Sequence, residues 1–253
     1  MNLTISVRAE IIKTKRSASF WLSILGATVI PLIFFLAYIL KPAEAYSNTW
    51  GIHFLQGWQV FNAFLLPMFV ILICSLIPQI EYKNNAWKQV FASPQTIGNI
   101  FLSKYLTILI MILFLFLVFN ILMVLSAIVP NLFYSKYTFL SNSIDWMQLV
   151  RLNLKTFISL LAIISFQYWL SLRFRNFIVP IGIGLGLLVT ALILYQLRWE
   201  HIYKVPYAFP VLTMEGIREP DFKLQNHEWN AIAYFIFFTL LAFLDMRFRK
   251  ERG

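Results

Sequence analysis

Six stretches of this chain, at about 20–40, 58–80, 105–129, 154–172, 177–197 and 229–244, are long and apolar, with no Asp, Glu, Lys, Arg or His away from their interfacial ends. A run of roughly 17–25 such residues is what an α-helix needs to cross a hydrocarbon core about 30 Å thick. Lipid offers no hydrogen bonds, so every backbone N–H and C=O in those runs must be satisfied within its own helix. The expected fold is therefore an all-α membrane protein, a six-transmembrane helical bundle. With 253 residues, 60% of them hydrophobic and only 13% charged, the chain leaves no room for a soluble domain, which would be nearer half apolar and a quarter charged.

Six spans place both termini on one side. The segments on that side, 1–18, 81–104, 173–176 and the tail after 244, carry 13 basic and 4 acidic residues, whereas the outer loops 41–57, 130–153 and 198–228 and the adjoining span ends carry 8 and 7. Basic residues concentrate on the cytoplasmic side, so both termini are expected there. The net charge of +10 is thus spent on orientation, and nucleic acid is not expected among the partners. Residues 1–18 read as an amphipathic basic helix: Leu3, Val7 and Ile11 fall on one stripe, with Arg8, Lys13, Lys15 and Arg16 elsewhere. The apolar run beginning at Ser19 is too long for the core of a cleaved signal peptide. Pro31, Pro67 and Pro78 are expected to kink spans 1 and 2, and Lys155 to snorkel outward. Gly182 and Gly186, four apart in span 5, are expected to serve close helix packing. The apolar island 207–212 is expected to dip into the outer interface, although Pro206 and Pro210 leave little room for a regular helix.

The polar segment 81–104 stands between two spans. Trp87, Val90 and Phe91 recur at i, i+3 and i+4 and share one helical face, with Lys83, Lys88 and Gln89 around the rest. Ser93 suits an N-cap and Pro94 the first position of a new helix. A helix from there through span 3 would reach roughly 54 Å, so its first turns must project beyond the bilayer.

Chemistry is conspicuous by omission. Without ionisable groups inside the spans, the chain has no visible means of using an ion gradient. It contains no G-x-x-x-x-G-K-[ST] phosphate loop. His53, His201 and His227 fall in the expected outer loops and read as interfacial residues, neither metal ligands nor catalysts. Cys74 is a lone thiol within an apolar run, and Ser165 and Gln167 have no base beside them in sequence. No catalytic, cofactor or metal site is expected in this chain, and an intramembrane enzyme is the least supported reading. The energy for any work must come from a partner.

Six spans, an N-terminal helix written Glu10-x-x-Lys13-x-Lys15-Arg16-Ser17 and a surface helix written Glu81-Tyr82-Lys83 … Trp87-Lys88 … Ser93-Pro94 … Lys104 resemble the ABC-2 type transporter permeases, with the lantibiotic-immunity branch the closest in kind. The resemblance implies a permease subunit without its own ATPase site. It would pair with a second permease subunit, identical or a paralogue, and with a cytosolic ABC ATPase that carries the ATP and Mg. The resemblance further implies an ATPase-coupling helix built on Glu81, Trp87, Lys88, Val90, Phe91, Ser93 and Pro94, and an N-terminal connecting helix using Glu10, Lys13 and Arg16. An amphipathic peptide-antibiotic or lipid-like cargo would be exported among membrane lipids. The alternative is a membrane anchor that recruits a cytosolic factor and transports nothing.

Overall fold

The computed structural model describes residues 2–40, 49–83, 87–92, 95–134, 136–216 and 223–248. Among these the regular structure is all helical, with no strand. A short helix α1 (Leu3–Lys15) leads into α2 (Ala18–Leu40). The next rod is continuous from Trp50 to Lys83 and consists of α3 (Trp50–Val60), a π-turn (Phe61–Leu65) and α4 (Leu66–Lys83). The small α5 (Trp87–Ala92) precedes the longest helix, α6 (Ile97–Phe133, 37 residues). Then come α7 (Trp146–Arg173), α8 (Ile178–Gln196), α9 (Phe209–Gly216) and α10 (Asn226–Phe248). Six of these rods are long and apolar enough to cross a membrane, and the protein is an all-α six-span bundle.

The bundle is built outward from its polar groups. On α6, Ile110, Leu113, Leu117, Ile121 and Leu125 repeat at helical spacing and are exposed, as residues facing lipid must be. The opposite side is packed: Trp58, Phe61 and Phe119 pile together, with Phe61 and Phe119 stacked at 4.3 Å between centroids. α2 lies along α6 and α10 along α7, and α4 passes through the middle with contacts to α2, α6, α7 and α8.

Helix ends depart from the hydropathy pattern. The second rod starts at Trp50, eight residues before the apolar run, because Trp50, His53 and Phe54 are buried against one another and against Phe139. His53 therefore sits inside the bundle and not in a loop. Its Nε2 donates to the Met123 carbonyl at 2.9 Å, which leaves Nδ1 to accept from the Tyr38 hydroxyl at 2.9 Å. The π-turn stands directly before Pro67, which cannot donate an N–H and whose ring crowds the preceding turn; the wider turn accommodates both. α6 begins at Ile97, where the Thr96 side chain accepts from the Asn99 N–H at 3.2 Å, so the N-cap is Thr96. Ser93 and Pro94, the expected cap and first position, lie outside the described residues. At the other end of α6 the helix continues past Pro130 to Phe133. The island at 207–212 does form a helix: Pro206 opens a 3₁₀ turn and Pro210 is the second residue of α9, where a missing N–H costs nothing. Tyr207, Ala208, Phe209 and Pro210 are buried, so this segment is folded into the bundle.

The glycines of α8 divide unexpectedly. An added Cβ at Gly182 or Gly186 would meet nothing within 4 Å, whereas at Gly184 it would lie 2.8 Å from Ile71 Cγ2 and from Gln167 Oε1. Of the three glycines of α8, Gly184 is the one closely packed within this chain. Gly184→Val is expected to destabilise the protein by about 1–3 kcal/mol through overpacking, while Gly182→Ala leaves the isolated chain unchanged. Thermal unfolding of the purified chain in detergent checks both.

Candidate functional site

At the end of the bundle that carries both termini, four charged side chains from three helices meet. Lys104, on the second turn of α6, is fully buried, its Nζ 2.6 Å from Glu81 Oε1 and 3.0 Å from Glu10 Oε2. Lys13 completes the ring, 2.8 Å from Glu10 Oε1 and 3.1 Å from Glu81 Oε1. Two carboxylates and two ammonium groups therefore neutralise one another, with Lys104, Glu81 and Glu10 buried and Lys13 41% exposed; pairing is the condition under which buried charge is tolerated. The result locks α1, the end of α4 and the start of α6 into one unit.

Helix α1 docks through a polar stripe that adjoins the apolar one. Its buried residues are Ser6, Glu10 and Thr14, at i, i+4 and i+8, while Ile5 and Ile12 are exposed. Ser6 donates to Gln95 Oε1 at 3.1 Å, just before α6. The polar stripe docks because its partners are polar; Leu3, Val7 and Ile11 stand beside it, half-buried. Arg16 caps the helix end and remains exposed.

Two signs follow for pH. Burial raises the Glu10 pKa, but Lys104 and Lys13 outweigh it and hold the carboxyl below its usual value. Burial lowers the Lys13 pKa, but Glu10 and Glu81 outweigh it and push the ammonium above its usual value. A depressed carboxylate contributes stability that is present above its unfolded value and lost as pH falls through the folded one. A raised ammonium contributes below its unfolded value and loses that as pH rises through the folded one. The junction is therefore expected to hold undiminished across neutral pH. It loosens only below the ordinary carboxylate range or above the ordinary lysine range, as the unfolding midpoint followed against pH would show.

α5 sits against this ring. Trp87 is 8% exposed, its ring 5.1 Å from that of Tyr82 and 5.5 Å from Lys104 Nζ, a cation–π arrangement. Val90 is partly buried against the same core and Gln89 is exposed. Lys88 and Phe91 belong to α5, but their side chains lie outside the described part of the structure. Of the residues singled out for coupling and connecting, the structure thus brings together buried Glu81, Trp87 and Glu10 with Lys13, which is 41% exposed. Tyr82 donates to the Leu172 carbonyl at 2.8 Å and Gln79 to the Phe174 carbonyl at 3.1 Å, which satisfies the open C-terminal end of α7. Arg173 reaches Asp245 at 3.0 Å and ties α7 to the end of α10.

Two further polar centres escape a reading of the sequence. In the C-terminal part of α7, Gln167 donates to Ser75 Oγ at 3.1 Å and to the Pro180 carbonyl at 2.6 Å, and accepts from Tyr207 at 2.9 Å; it joins α4, α8 and the segment before α9. At the far end, Lys155 does not snorkel. It is 2% exposed, 3.7 Å from Glu228 Oε2 and donating to the Lys223 carbonyl at 2.8 Å. His227, also buried, meets Thr213 at 3.0 Å. The partners are 68 and 73 residues apart in the chain, and no local pattern could have paired them. Among the described residues no group of His, Cys, Asp and Glu could hold a metal ion.

A helical membrane protein with six spans, a docked N-terminal helix and a surface helix seated on a buried charge ring has the build of a transporter's membrane component. Residues 6–191 match the family described as ABC-2 family transporter protein, nearly three quarters of the chain, and the protein belongs to that family. A search of curated proteins gives no match. The family is that of a transporter's membrane component and implies association with an ABC ATPase.

Proposed function

We propose that this chain is the permease subunit of an ABC exporter in a bacterial cytoplasmic membrane, with both termini in the cytoplasm. A second permease subunit completes the pathway, and a separate cytosolic ATPase supplies work from ATP and Mg. The cargo is an amphipathic peptide antibiotic or a lipid-like molecule, in keeping with the lantibiotic-immunity branch and with the apolar character of the spans. The observation that carries this reading is the Lys104 bridge. It fastens α1 and the base of α4 to the foot of α6, a helix whose 37 residues reach about 56 Å without a break. A push on α5 or α1 is thereby delivered to the whole length of one span and does not dissipate in a loop.

Trp87 faces inward and acts by seating α5; the ATPase meets the outer side of α5, where Gln89 is exposed. With a co-expressed candidate ATPase, Gln89→Cys is expected to cross-link to that subunit, and Trp199→Cys at the far end is not. Cross-linking from the far end alone would overturn the orientation, and recovery of the chain without any ATPase would overturn the coupling. If the ATPase binds but no candidate cargo stimulates its hydrolysis in vesicles, the protein is an anchor instead.

A further inference from the structure

Beside the charge ring, between the start of α2, the end of α4 and the turn before α8, lies an open cleft of about 830 Å³. That is within the size range of pockets that hold small ligands. Its wall is divided by chemistry. Arg16, Lys83 and Arg175 stand at the polar rim, each within three residues of a span end. Leu76, Ile80 and Phe177 form the apolar part. Lys13 also lines it, its Nζ held by Glu10 and Glu81. Among the described residues that line it there is no Asp or Glu.

The division has a direction. Lys83 ends α4, and Ile80 and Leu76 lie one and two turns back along it, roughly 10 Å deeper into the span. A ligand matched to this wall carries its anion at the membrane boundary and an alkyl chain toward the hydrocarbon. Guanidinium groups from two separate segments suit a phosphate, whose oxygens accept paired N–H bonds. Ser17 and Asn176 add neutral polar groups at the same rim. Basic pockets between spans at a membrane face are a recurring means of holding acidic lipid head groups.

We propose that this cleft binds a membrane lipid with an anionic phosphate head group, the phosphate against Arg16, Lys83 and Arg175 and the first part of the chain against Leu76, Ile80 and Phe177. The site stands apart from the coupling reading, because binding is read on this chain alone with no ATPase present.

The test uses the full chain purified in a neutral detergent and native mass spectrometry to titrate three probes: dioctanoyl phosphatidylglycerol, dioctanoyl phosphatidylcholine and glycerol phosphate. Phosphatidylglycerol is expected to bind tightest, with affinity falling as salt is raised. Arg16→Gln, Lys83→Gln and Arg175→Gln should each weaken it about fivefold, and Lys204→Gln, at the far end, should leave it unchanged. Phe177→Ser should weaken the lipid and leave glycerol phosphate as it was. Each variant is first checked for an unaltered unfolding midpoint, and the exposed positions of the three cations make single substitutions compatible with folding. Equal binding of phosphatidylcholine would overturn the anionic site. Equal binding of glycerol phosphate would show a soluble-phosphate site and overturn the lipid assignment, and unchanged affinity in all three cation variants would overturn the location.

Discussion

Lys104→Met is expected to cost the protein about 3–5 kcal/mol of stability, the range seen when one partner of a buried ion pair is removed. The ammonium is fully buried and touches both Glu81 and Glu10; Lys13, which also touches both, is 41% exposed. Without Lys104, two carboxylates face each other across a dry gap with one partly solvated lysine between them. Met fills the volume of the lost side chain, so the loss reports charge and not a cavity. A double variant, Lys104→Met with Glu10→Gln, removes a charge of each sign and is expected to recover more than half of the loss. Thermal unfolding of the four proteins of this cycle in one detergent measures the coupling. If Lys104→Met unfolds within half a kcal/mol of the parent, the ring does not hold the junction together.

At the opposite end, Lys155→Met is expected to be nearly as damaging. Glu228 is fully buried and has Lys155 as its nearest cation, at 3.7 Å, with the Gln225 N–H as a second support at 2.7 Å. Removing the lysine strips the counter-charge and also deprives the Lys223 carbonyl of its donor, 2.8 Å away. A cost of about 3 kcal/mol follows, at the lower edge of the range because the pair is longer and the backbone N–H remains. Lys155→Met combined with Glu228→Gln should restore most of it. The two lysines separate in function as well: on co-purification with a co-expressed ATPase, the Lys104 variant is expected to weaken the association, whereas the Lys155 variant, distant from α5, leaves it intact.

The six-span plan is plain in the sequence because lipid imposes a long, uncharged signature on any helix that crosses it. What the sequence conceals follows from the same solvent. In α1 the stripe of Leu3, Val7 and Ile11 points to an apolar face, yet Ser6, Glu10 and Thr14 are the residues that dock, since next to a bilayer the protein interior is the better home for polar groups. Trp50 and His53 read as loop residues because a histidine lowers any hydropathy average, although a tyrosine and a backbone carbonyl satisfy it fully. Lys155 and Glu228 look like boundary residues for the same reason. The members of the charge ring were legible but their pairing was not: Glu10, Lys13, Glu81 and Lys104 all stood in the motifs, but Lys104 lies 94 residues from its partner Glu10, and sequence carries no sign of so distant a contact. Gly182 and Gly186 had the right spacing, and Gly184 had the neighbours.

The separation of those partners also orders events while the chain is being made. Glu10 leaves the ribosome 94 residues before Lys104, which at 5–20 residues per second is a wait of roughly 5–20 s. During that interval α2 and the whole second rod can enter the membrane while the carboxylate of Glu10 still lacks its buried counter-ion. The arrival of Lys104 is thus the moment at which the first helix can be drawn in. A nascent chain that stalls before residue 104 would display an undocked basic helix, a ready mark for surveillance of unfinished membrane proteins.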